Sequence, residues 1–574
     1  MRILFITHSF NSLAQRLFVA LREAGHRVSI EFDVNDATSI EAVDLFRPDL
    51  VVAPFLKRAI PGRIWRSTPC LIVHPGVIGD RGPSALDWAI LNQESTWGVT
   101  VLQANEVMDG GAIWASETFT TRGASKSSLY RTEVTSAAVT AVTQAVARFE
   151  GQQFQPQPLK TVTPPVSGRE RPLARQADRA IDWSIDETSA VLRKIRSADG
   201  FPGLRDAALG AATGKDLYLY DAHPAPTLAG TPGTLVARSG EAVGVATVDG
   251  GIWLGRLRDR QSDHNFKLPA VQVLGPRAAG LEDRSQDEAD AYRDIRYVER
   301  EGVGFLHFPF YNGAMSTDRC ERLLSAYHEA VASGPRVIVL CGGPDFWSNG
   351  MDLNQIEAAD SAADESWRNI NAIDDISEAI IRTTDCLTVA ALRGNAGAGG
   401  VFLARAADEV WSHDEVTLNP HYKDMGNLFG SEYWTYLLPR CCGEEQSSQI
   451  MAARLPVGIA EAQSLGLVDR SLTPCRTGFM SAVEHEAAAM AQAGDLDARL
   501  HAKRECREHD EAQKPLNEFR AEELARMRTN FYGFDPSYHI ARYNFVHKIP
   551  RSRTPLTIAE HRRRNPDLPV RDVS

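Results

Sequence analysis

The sequence contains no run of about 20 apolar residues and therefore no candidate transmembrane helix. Its first residues lack the longer apolar core and the small-residue cleavage site of a signal peptide. The eight cysteines form no Cys-x-x-Cys pair, which argues against a disulfide framework and against a zinc site. We therefore expect a cytoplasmic protein with reduced thiols, no metal and no membrane partner.

Basic residues are also fewer than acidic residues. The chain has 62 Lys and Arg against 74 Asp and Glu, a net charge of −12 at pH 7. Proteins that bind nucleic acid through its phosphates need a basic surface. We therefore expect no nucleic-acid partner, and a tRNA substrate is disfavoured.

At 574 residues the chain is too long for a single core and predicts an α/β protein of several domains. A Gln- and Pro-rich stretch over 152–165 is typical of a linker, and a charged stretch separates two halves in which strands and helices alternate. We predict five segments, with these boundaries: an α/β domain over 1–155, a small β-rich domain over 166–275, a linker over 276–296, a second α/β domain over 297–493 and a charged helical tail over 494–574.

The first half carries a candidate catalytic pair. Short β-type runs alternate with helices there, which predicts a mainly parallel sheet with ligands at the carboxyl ends of its strands. His74 ends one apolar run, and Asp109 follows the next run, which ends near Gln103. An imidazole and a carboxylate at the ends of two neighbouring strands suit acyl transfer, because one group can move a proton while the other orients it.

The order of His74, the turn Arg81-Gly82-Pro83 and Asp109 resembles the signature of the N10-formyltetrahydrofolate-dependent formyltransferases. This resemblance implies a Rossmann-like parallel sheet followed by a small OB-like β-rich domain. It implies that His74 and Asp109 are catalytic and that N10-formyltetrahydrofolate is the formyl donor. The folate-binding residues that it implies are Phe55, Ile60, Arg81, Gly82 and Leu102.

Ile72 stands where that family has an asparagine. By analogy with other oxyanion holes, loss of one donor costs about 3 kcal/mol of barrier. An amine acceptor would then be hard to serve, whereas a thiol is a stronger nucleophile once ionised, so we expect a thiol acceptor. The roles of Asp80 and Asp87 stay open, since either could simply cap the helix that begins near Ser84.

The second half contains two motifs that resemble the crotonase superfamily: 346–353 follows a strand, and the Gly-rich stretch 394–400 opens a helix. The resemblance implies a ββα spiral fold in which the backbone N–H groups of Met351 and Gly399 form an oxyanion hole over an acyl-coenzyme A carbonyl. It implies that Asn349 and Gly350 belong to the coenzyme A site.

Hydration of an enoyl thioester is not expected from this half. Crotonase-type hydratases use two glutamates, and this chain has Phe402 and His421 at the matching places. Phe402 cannot take part in proton transfer. The oxyanion hole would still bind a thioester.

The polar and aromatic segment 419–434, together with the order of the domains, resembles the HypX/HoxX hydrogenase maturation factors over nearly the full chain. The resemblance implies that a formyl group passes from formyltetrahydrofolate to coenzyme A, and that formyl-coenzyme A then releases carbon monoxide for the iron of [NiFe]-hydrogenase. Decarbonylation needs an acid/base pair, for which we select Tyr422 and Glu432. The allocation of acid and base stays open, and His421 is the reserve candidate.

Two other functions remain possible at this point. The chain could be a formyltransferase acting on an amine, with a second half that only senses coenzyme A. It could also be a non-enzymatic maturation scaffold that binds folate and a hydrogenase subunit or other maturation proteins, with the charged tail as a docking segment.

Overall fold

The computed structural model describes residues 1–162, 167–285 and 290–563. These residues form two compact units. The first unit contains residues 1–293 together with the described stretch 551–563, and the second contains residues 294–550. Within the described residues, no helix combines the length and the apolar character needed to span a membrane.

The first unit begins with a six-stranded sheet in the order β2-β1-β3-β4-β5-β6. Its strands are β1 (Arg2–Thr7), β2 (Arg27–Phe32), β3 (Leu50–Ala53), β4 (Cys70–His74), β5 (Thr96–Gln103) and β6 (Ile113–Thr120). Its helices are α1 (Ser12–Glu23), α2 (Asp36–Phe46), α3 (Gly62–Trp65), α4 (Ala85–Leu91), α5 (Lys126–Leu129) and α6 (Thr135–Glu150).

Strands β1 to β4 pair in parallel, whereas β4–β5 and β5–β6 pair antiparallel. Strands β1 and β3, in the interior of the parallel part, are almost continuously apolar and buried, as is typical of strands with helices on both faces of the sheet. The expected parallel sheet is therefore present, with an antiparallel pair at one side.

The small β-rich part of this unit is a seven-stranded sheet in the order β13-β9-β10-β11-β8-β7, with β12 paired to β11. Its strands are β7 (Leu204–Asp206), β8 (Leu217–Pro224), β9 (Leu235–Ser239), β10 (Ala242–Thr247), β11 (Gly250–Asp259), β12 (Leu268–Pro269) and β13 (Glu282–Asp283). Its helices are α7 (Thr188–Arg196), α8 (Ala207–Thr213), α9 (Ala270–Leu274) and α10 (Pro276–Ala279).

Much of the stretch predicted as a linker, 276–296, is folded onto this small sheet. Strand β13 pairs with β9, and the Tyr292 hydroxyl donates to Asp221 at 3.0 Å. In the described part of this stretch, charged residues have specific partners: Asp290 accepts from the backbone N–H and the hydroxyl of Thr227.

The second unit holds a six-stranded sheet, β14-β15-β16-β18-β20-β22, and a three-stranded sheet, β17-β19-β21. The strands are β14 (Arg296–Arg300), β15 (Val303–His307), β16 (Val337–Cys341), β17 (Phe346–Ser348), β18 (Leu387–Leu392), β19 (Asn395–Gly397), β20 (Glu409–His413), β21 (Leu418–Asn419) and β22 (Arg470–Thr473). The helices are α11 (Thr317–Ala332), α12 (Leu353–Glu357), α13 (Ala362–Arg382), α14 (Gly399–Arg405), α15 (Trp434–Cys442), α16 (Glu444–Ala453), α17 (Ile459–Ser464), α18 (Phe479–Gln492), α19 (Leu496–Gln513), α20 (Leu516–Tyr532) and α21 (Ser537–Val546).

The charged C-terminal helices are part of the core of the second unit. Leu516, Met527, Phe531 and Tyr538 are buried in the same apolar cluster as Phe402 of α14. These few apolar side chains anchor helices whose other faces are charged, which is why the sequence suggested an independent tail.

The chain then returns to the first unit. The backbone N–H of Ile30 in edge strand β2 donates to the carbonyl of Ile558, and the N–H of Phe32 donates to the Thr554 hydroxyl. His561 donates to or accepts from Ser29 and pairs with the buried Glu31. The stretch 551–563 therefore covers the open edge of the first sheet.

Candidate active sites

His74 lies at the carboxyl end of β4 and is buried, as predicted. The neighbouring strand β5 is antiparallel, with His74 opposite Thr100 and Leu71 opposite Gln103. The ends of the two strands therefore lie at opposite edges, contrary to the simple expectation from the sequence. The loop 104–112 nevertheless brings Asp109 back, so that its Oδ2 lies 3.6 Å from Nδ1 of His74.

A second carboxylate contacts the same imidazole. Asp80 Oδ1 lies 3.0 Å from Nε2 of His74, and its other oxygen lies 3.5 Å from Nε of the buried Arg171. Asp80 is thus part of the site rather than a helix cap. Asp87, the other open candidate, accepts hydrogen bonds from Lys126 and Arg179.

Asp109 is held by the turn that the sequence singled out. The Gly82 N–H donates to Asp109 Oδ2 at 3.2 Å. Gly82 has φ +118°, and a Cβ there would lie 2.2 Å from the carbonyl oxygen of Arg171, so only glycine fits. The Arg81 side chain instead pairs with Glu170 at 2.9 Å.

The apolar residues selected for folate binding flank this region of the sheet. Phe55 lies two residues after the end of β3 and is half-buried. Its ring packs edge-on against the ring of Tyr130, with the ring centroids 6.1 Å apart. Ile60 and Leu102 are buried, and Ile60 packs in one cluster with the half-buried Ile72. These residues offer an apolar wall for a flat heterocycle, which is the property that a pterin needs.

In the second unit the two Gly-containing motifs meet. A Cβ placed on Gly350 would lie 3.7 Å from the nitrogen of Gly399. Gly399 is the first residue of α14, where a backbone N–H has no partner within the helix. The Met315 N–H donates to the Gly350 carbonyl, and the Met315 carbonyl accepts from the Asp352 N–H. In such a parallel bridge the N–H of Met351, which lies between Gly350 and Asp352, points to the opposite side. Asn349 donates to the Asn312 carbonyl at 2.8 Å, which fixes the turn.

Tyr422 and Glu432 form a buried pair at this place. The Tyr422 hydroxyl lies 2.6 Å from Glu432 Oε2 and 2.9 Å from the carbonyl oxygen of Ser431. A Cβ placed on Gly399 would lie 2.0 Å from Glu432 Oε1, so the carboxylate packs directly against that glycine. The candidate acid/base pair and one candidate oxyanion donor are therefore in contact.

Burial governs the protonation of this pair. Burial, with a smaller contribution from the nearby Asp374 carboxylate, raises the pKa of Glu432 to about 8. Burial and the Glu432 charge raise the pKa of Tyr422 well above its ordinary value. Near neutral pH Glu432 is thus the member of the pair that changes protonation, while Tyr422 keeps its proton.

The positions that hold glutamates in hydratases are apolar or neutral here. Phe402 is buried in α14 and stacks on Tyr422, with ring centroids 5.5 Å apart and an angle of 17°. His421 is also buried, and burial lowers its pKa, so it is a weak proton carrier at neutral pH. The stacking orients the Tyr422 ring toward its hydrogen-bond partners.

The sequence reasoning missed two buried carboxyl groups next to Glu432. Asp374 in α13 accepts from the Glu432 N–H at 2.8 Å, and Glu523 in α20 accepts from the Tyr433 N–H at 2.9 Å. Asp374 falls in the apolar periodicity of a buried helix face, which was a usable signal. Glu523 shares the buried face of α20 with Leu516, Met527 and Phe531, so the same signal was present there.

Comparison with known proteins also assigns the two halves of the chain to different families. The Formyl transferase family model matches residues 19–146, its C-terminal domain model matches 174–264, and the Enoyl-CoA hydratase/isomerase model matches 305–524. The hydrogenase maturation factor HoxX of Bradyrhizobium diazoefficiens is 56% identical over 571 residues, which is 99% of each chain. The chain belongs to the HypX/HoxX family of hydrogenase maturation factors.

A solved structure of this family supports the fold. The crystal structure of HypX from Aquifex aeolicus in complex with tetrahydrofolic acid matches with a TM-score of 0.93 at 45% identity, covering 98% of this chain and 99% of that one. A more distant relative, the methionyl-tRNA formyltransferase of Syntrophus aciditrophicus, is 24% identical over 42% of this chain and 78% of its own length. The predicted fold class of this HypX/HoxX chain is confirmed: a formyltransferase-type half followed by a crotonase-type half.

Proposed function

We propose that this HypX/HoxX chain makes carbon monoxide in two steps, by transferring a formyl group from N10-formyltetrahydrofolate to coenzyme A and then decarbonylating formyl-coenzyme A. The observation that carries the proposal is the buried Tyr422–Glu432 pair packed against Gly399, in a crotonase-type site whose hydratase position is occupied by Phe402. Such a site can bind a thioester and move a proton, but it lacks the glutamate that hydration needs.

For the first step, His74 between Asp109 and Asp80 is the proton-transfer group. The two carboxylates contact the two ring nitrogens of His74 and orient the imidazole for taking the proton of the nucleophile, which then passes to the departing folate nitrogen. Tetrahydrofolate as the product fits the apolar wall of Phe55, Ile60 and Leu102. The solved relative from Aquifex aeolicus was crystallised with this compound. Ile72 in place of an amide donor favours a thiol acceptor, which coenzyme A supplies.

For the second step, the formyl C–H bond and the C–S bond both break. Glu432 takes the formyl proton, the C–H electron pair stays with carbon, and the C–S electron pair leaves with sulfur. The Met351 and Gly399 N–H groups stabilise the carbonyl oxygen. A proton then returns to the thiolate, which yields carbon monoxide and free coenzyme A with no net change in protons.

The hydroxyl of Tyr422 links these proton movements. It has one proton and two acceptors within reach, the Ser431 carbonyl and Glu432. When Glu432 is ionised, Tyr422 donates to it. When Glu432 has taken the formyl proton, Tyr422 can give its own hydroxyl proton to the thiolate and take the Glu432 proton in its place. We therefore assign Glu432 as the base and Tyr422 as the relay toward the sulfur.

The test is carbon monoxide release, followed by the absorbance change of haemoglobin, from purified protein given formyltetrahydrofolate with and without coenzyme A. Coenzyme A retained from the host must be removed first. We expect gas only when both compounds are present, and none from the double variant Tyr422→Phe, Glu432→Gln. Folate turnover without gas would refute the second step. The proposed cellular role of the gas is hydrogenase assembly by a cytoplasmic factor.

A further inference from the structure

Glu432 and the residue after it adopt a backbone conformation that rarely occurs outside glycine. Glu432 has φ +59° and Tyr433 has φ +60°, and both side chains are buried. Two consecutive left-handed residues with large side chains are strained and persist only where the surrounding structure holds them. The turn that presents the proposed base therefore needs outside support.

Two buried carboxyl groups supply that support from different helices. Asp374 in α13 accepts from the Glu432 N–H at 2.8 Å and from the Ser431 hydroxyl at 2.7 Å. Glu523 in α20 accepts from the backbone N–H groups of Tyr433 at 2.9 Å and Thr435 at 2.8 Å. Together they bind the backbone on both sides of the left-handed pair.

We propose that Asp374 and Glu523 are positioning residues, which hold the Glu432–Tyr433 turn from two sides so that the Glu432 carboxylate stays against Gly399. This inference rests on the proposed function, because Glu432 is the proton-transfer group there. Helix α20 lies outside the predicted crotonase-like segment 297–493. The inference gives this helix a positioning role in the second site.

Asp374 has an electrostatic effect in addition to its hydrogen bonds. Burial raises the pKa of Asp374 to about 6, so it is largely ionised at the pH where Glu432 titrates. Its charge opposes ionisation of Glu432, and its removal lowers the pKa of that residue. Tyr422 from its own segment, Cys320 from α11 and Glu523 from α20 also interact electrostatically with Glu432, and Arg520 of α20 interacts with Asp374.

The test uses the full chain and formyl-coenzyme A supplied directly, so that the first site is bypassed. Asp374→Asn and Glu523→Gln are compared with exposed controls, Asp385→Asn and Glu522→Gln. We expect kcat for gas release to fall about 10–100-fold in the first two variants, with KM nearly unchanged, because misplacement of a reacting group lowers kcat. Formyl transfer from the folate and the melting temperature should both be unaffected, which together show that the first site and the overall fold are intact.

A second readout does not depend on catalysis. The carboxyl band of Glu432, identified by its loss in Glu432→Gln, is titrated by infrared difference spectroscopy. In Asp374→Asn its midpoint should move to lower pH, and in Asp385→Asn it should stay in place. If the wild type releases no gas, the proposed function fails, but this titration still decides whether Asp374 controls Glu432.

Two results would overturn the inference. One is a kcat and a midpoint in Asp374→Asn equal to those of its control. The other is a fall of kcat that accompanies a lower melting temperature and a loss of formyl transfer, with the midpoint unmoved, since that pattern indicates general support of the fold. For Glu523→Gln, a kcat equal to that of Glu522→Gln would remove Glu523 from the proposal.

Discussion

The Glu432 carboxylate lies so close to Gly399 that a single methyl group on that glycine would overlap it, at 2.0 Å from Oε1. Gly399 is therefore constrained by two demands. It must present its N–H at the start of α14, and it must leave room for the carboxylate. The proposed base and the proposed oxyanion donor are fixed relative to each other by this contact.

Gly399→Ala should abolish gas release from formyl-coenzyme A, because the carboxylate must move away from the carbonyl carbon. We expect a loss of about 10²-fold or more in kcat, as for removal of a general base. Gly494→Ala is the matched control, since a Cβ there meets nothing within 4 Å. Equal activity of the two variants would contradict the assigned geometry.

The pH dependence of gas release should follow Glu432. Since a base must be ionised to act, and burial and Asp374 raise the pKa of Glu432 to about 8, kcat should rise with pH up to about 8 and then level off. A stopped-flow pH profile with formyl-coenzyme A measures this. A rate that is constant between about pH 6 and 9 would exclude Glu432 as the base.

The same residue affects stability. In the unfolded chain the pKa of Glu432 is near 4.5, and in the folded protein burial and Asp374 raise it to about 8. The folded state thus holds more protons between these values, and its free energy of unfolding decreases as pH rises through this window. Glu432→Gln should match the wild type near pH 4.5 and be more stable at about pH 9, by up to roughly 5 kcal/mol. Thermal unfolding at the two pH values measures the difference.

At the first site Asp80 should be as important as Asp109. Asp80→Asn removes the carboxylate that lies 3.0 Å from Nε2 of His74 and 3.5 Å from Nε of Arg171, so the imidazole loses the charged group that orients it. We expect formyl transfer to fall about 10²–10⁴-fold in kcat. Glu106→Gln, an exposed residue of the Asp109 loop, serves as the control and should be neutral. The readout is the absorbance change on release of tetrahydrofolate.

Ile72→Asn tests the choice of acceptor. An amide at this position should restore an oxyanion contact, and transfer to a simple amine should increase by roughly 10²-fold, the equivalent of about 3 kcal/mol. Transfer to coenzyme A should change much less. An unchanged rate with the amine would show that Ile72 does not determine the acceptor.

The sequence was informative wherever function depends on local motifs. His74, the turn at Gly82 and the glycines of the second site are recognisable because each needs a particular residue type at a fixed separation. The alternation of strands and helices, and the apolar strands buried on both faces, likewise predicted the two α/β halves.

Other features depend on contacts between distant residues, which no local pattern records. Asp80 reads as a helix cap until Arg171, 91 residues later, is placed beside it. The apolar spacing of α20 places Glu523 on the buried face of that helix, but the residue that its carboxyl group binds, Tyr433, lies 90 residues earlier in the chain. The antiparallel direction of β5 relative to β4 was also not predicted, because an apolar run does not specify the direction of a strand.

The covering of β2 by the stretch 551–563 has a consequence for biosynthesis. Phe32 and its partner Thr554 are 522 residues apart, so the second unit is an insertion within the first. During translation the edge of β2 stays open, and able to pair with other chains, until the whole second unit has been made. Expression of residues 1–293 alone should therefore yield a protein prone to association, and a synthetic 551–563 peptide should suppress that association.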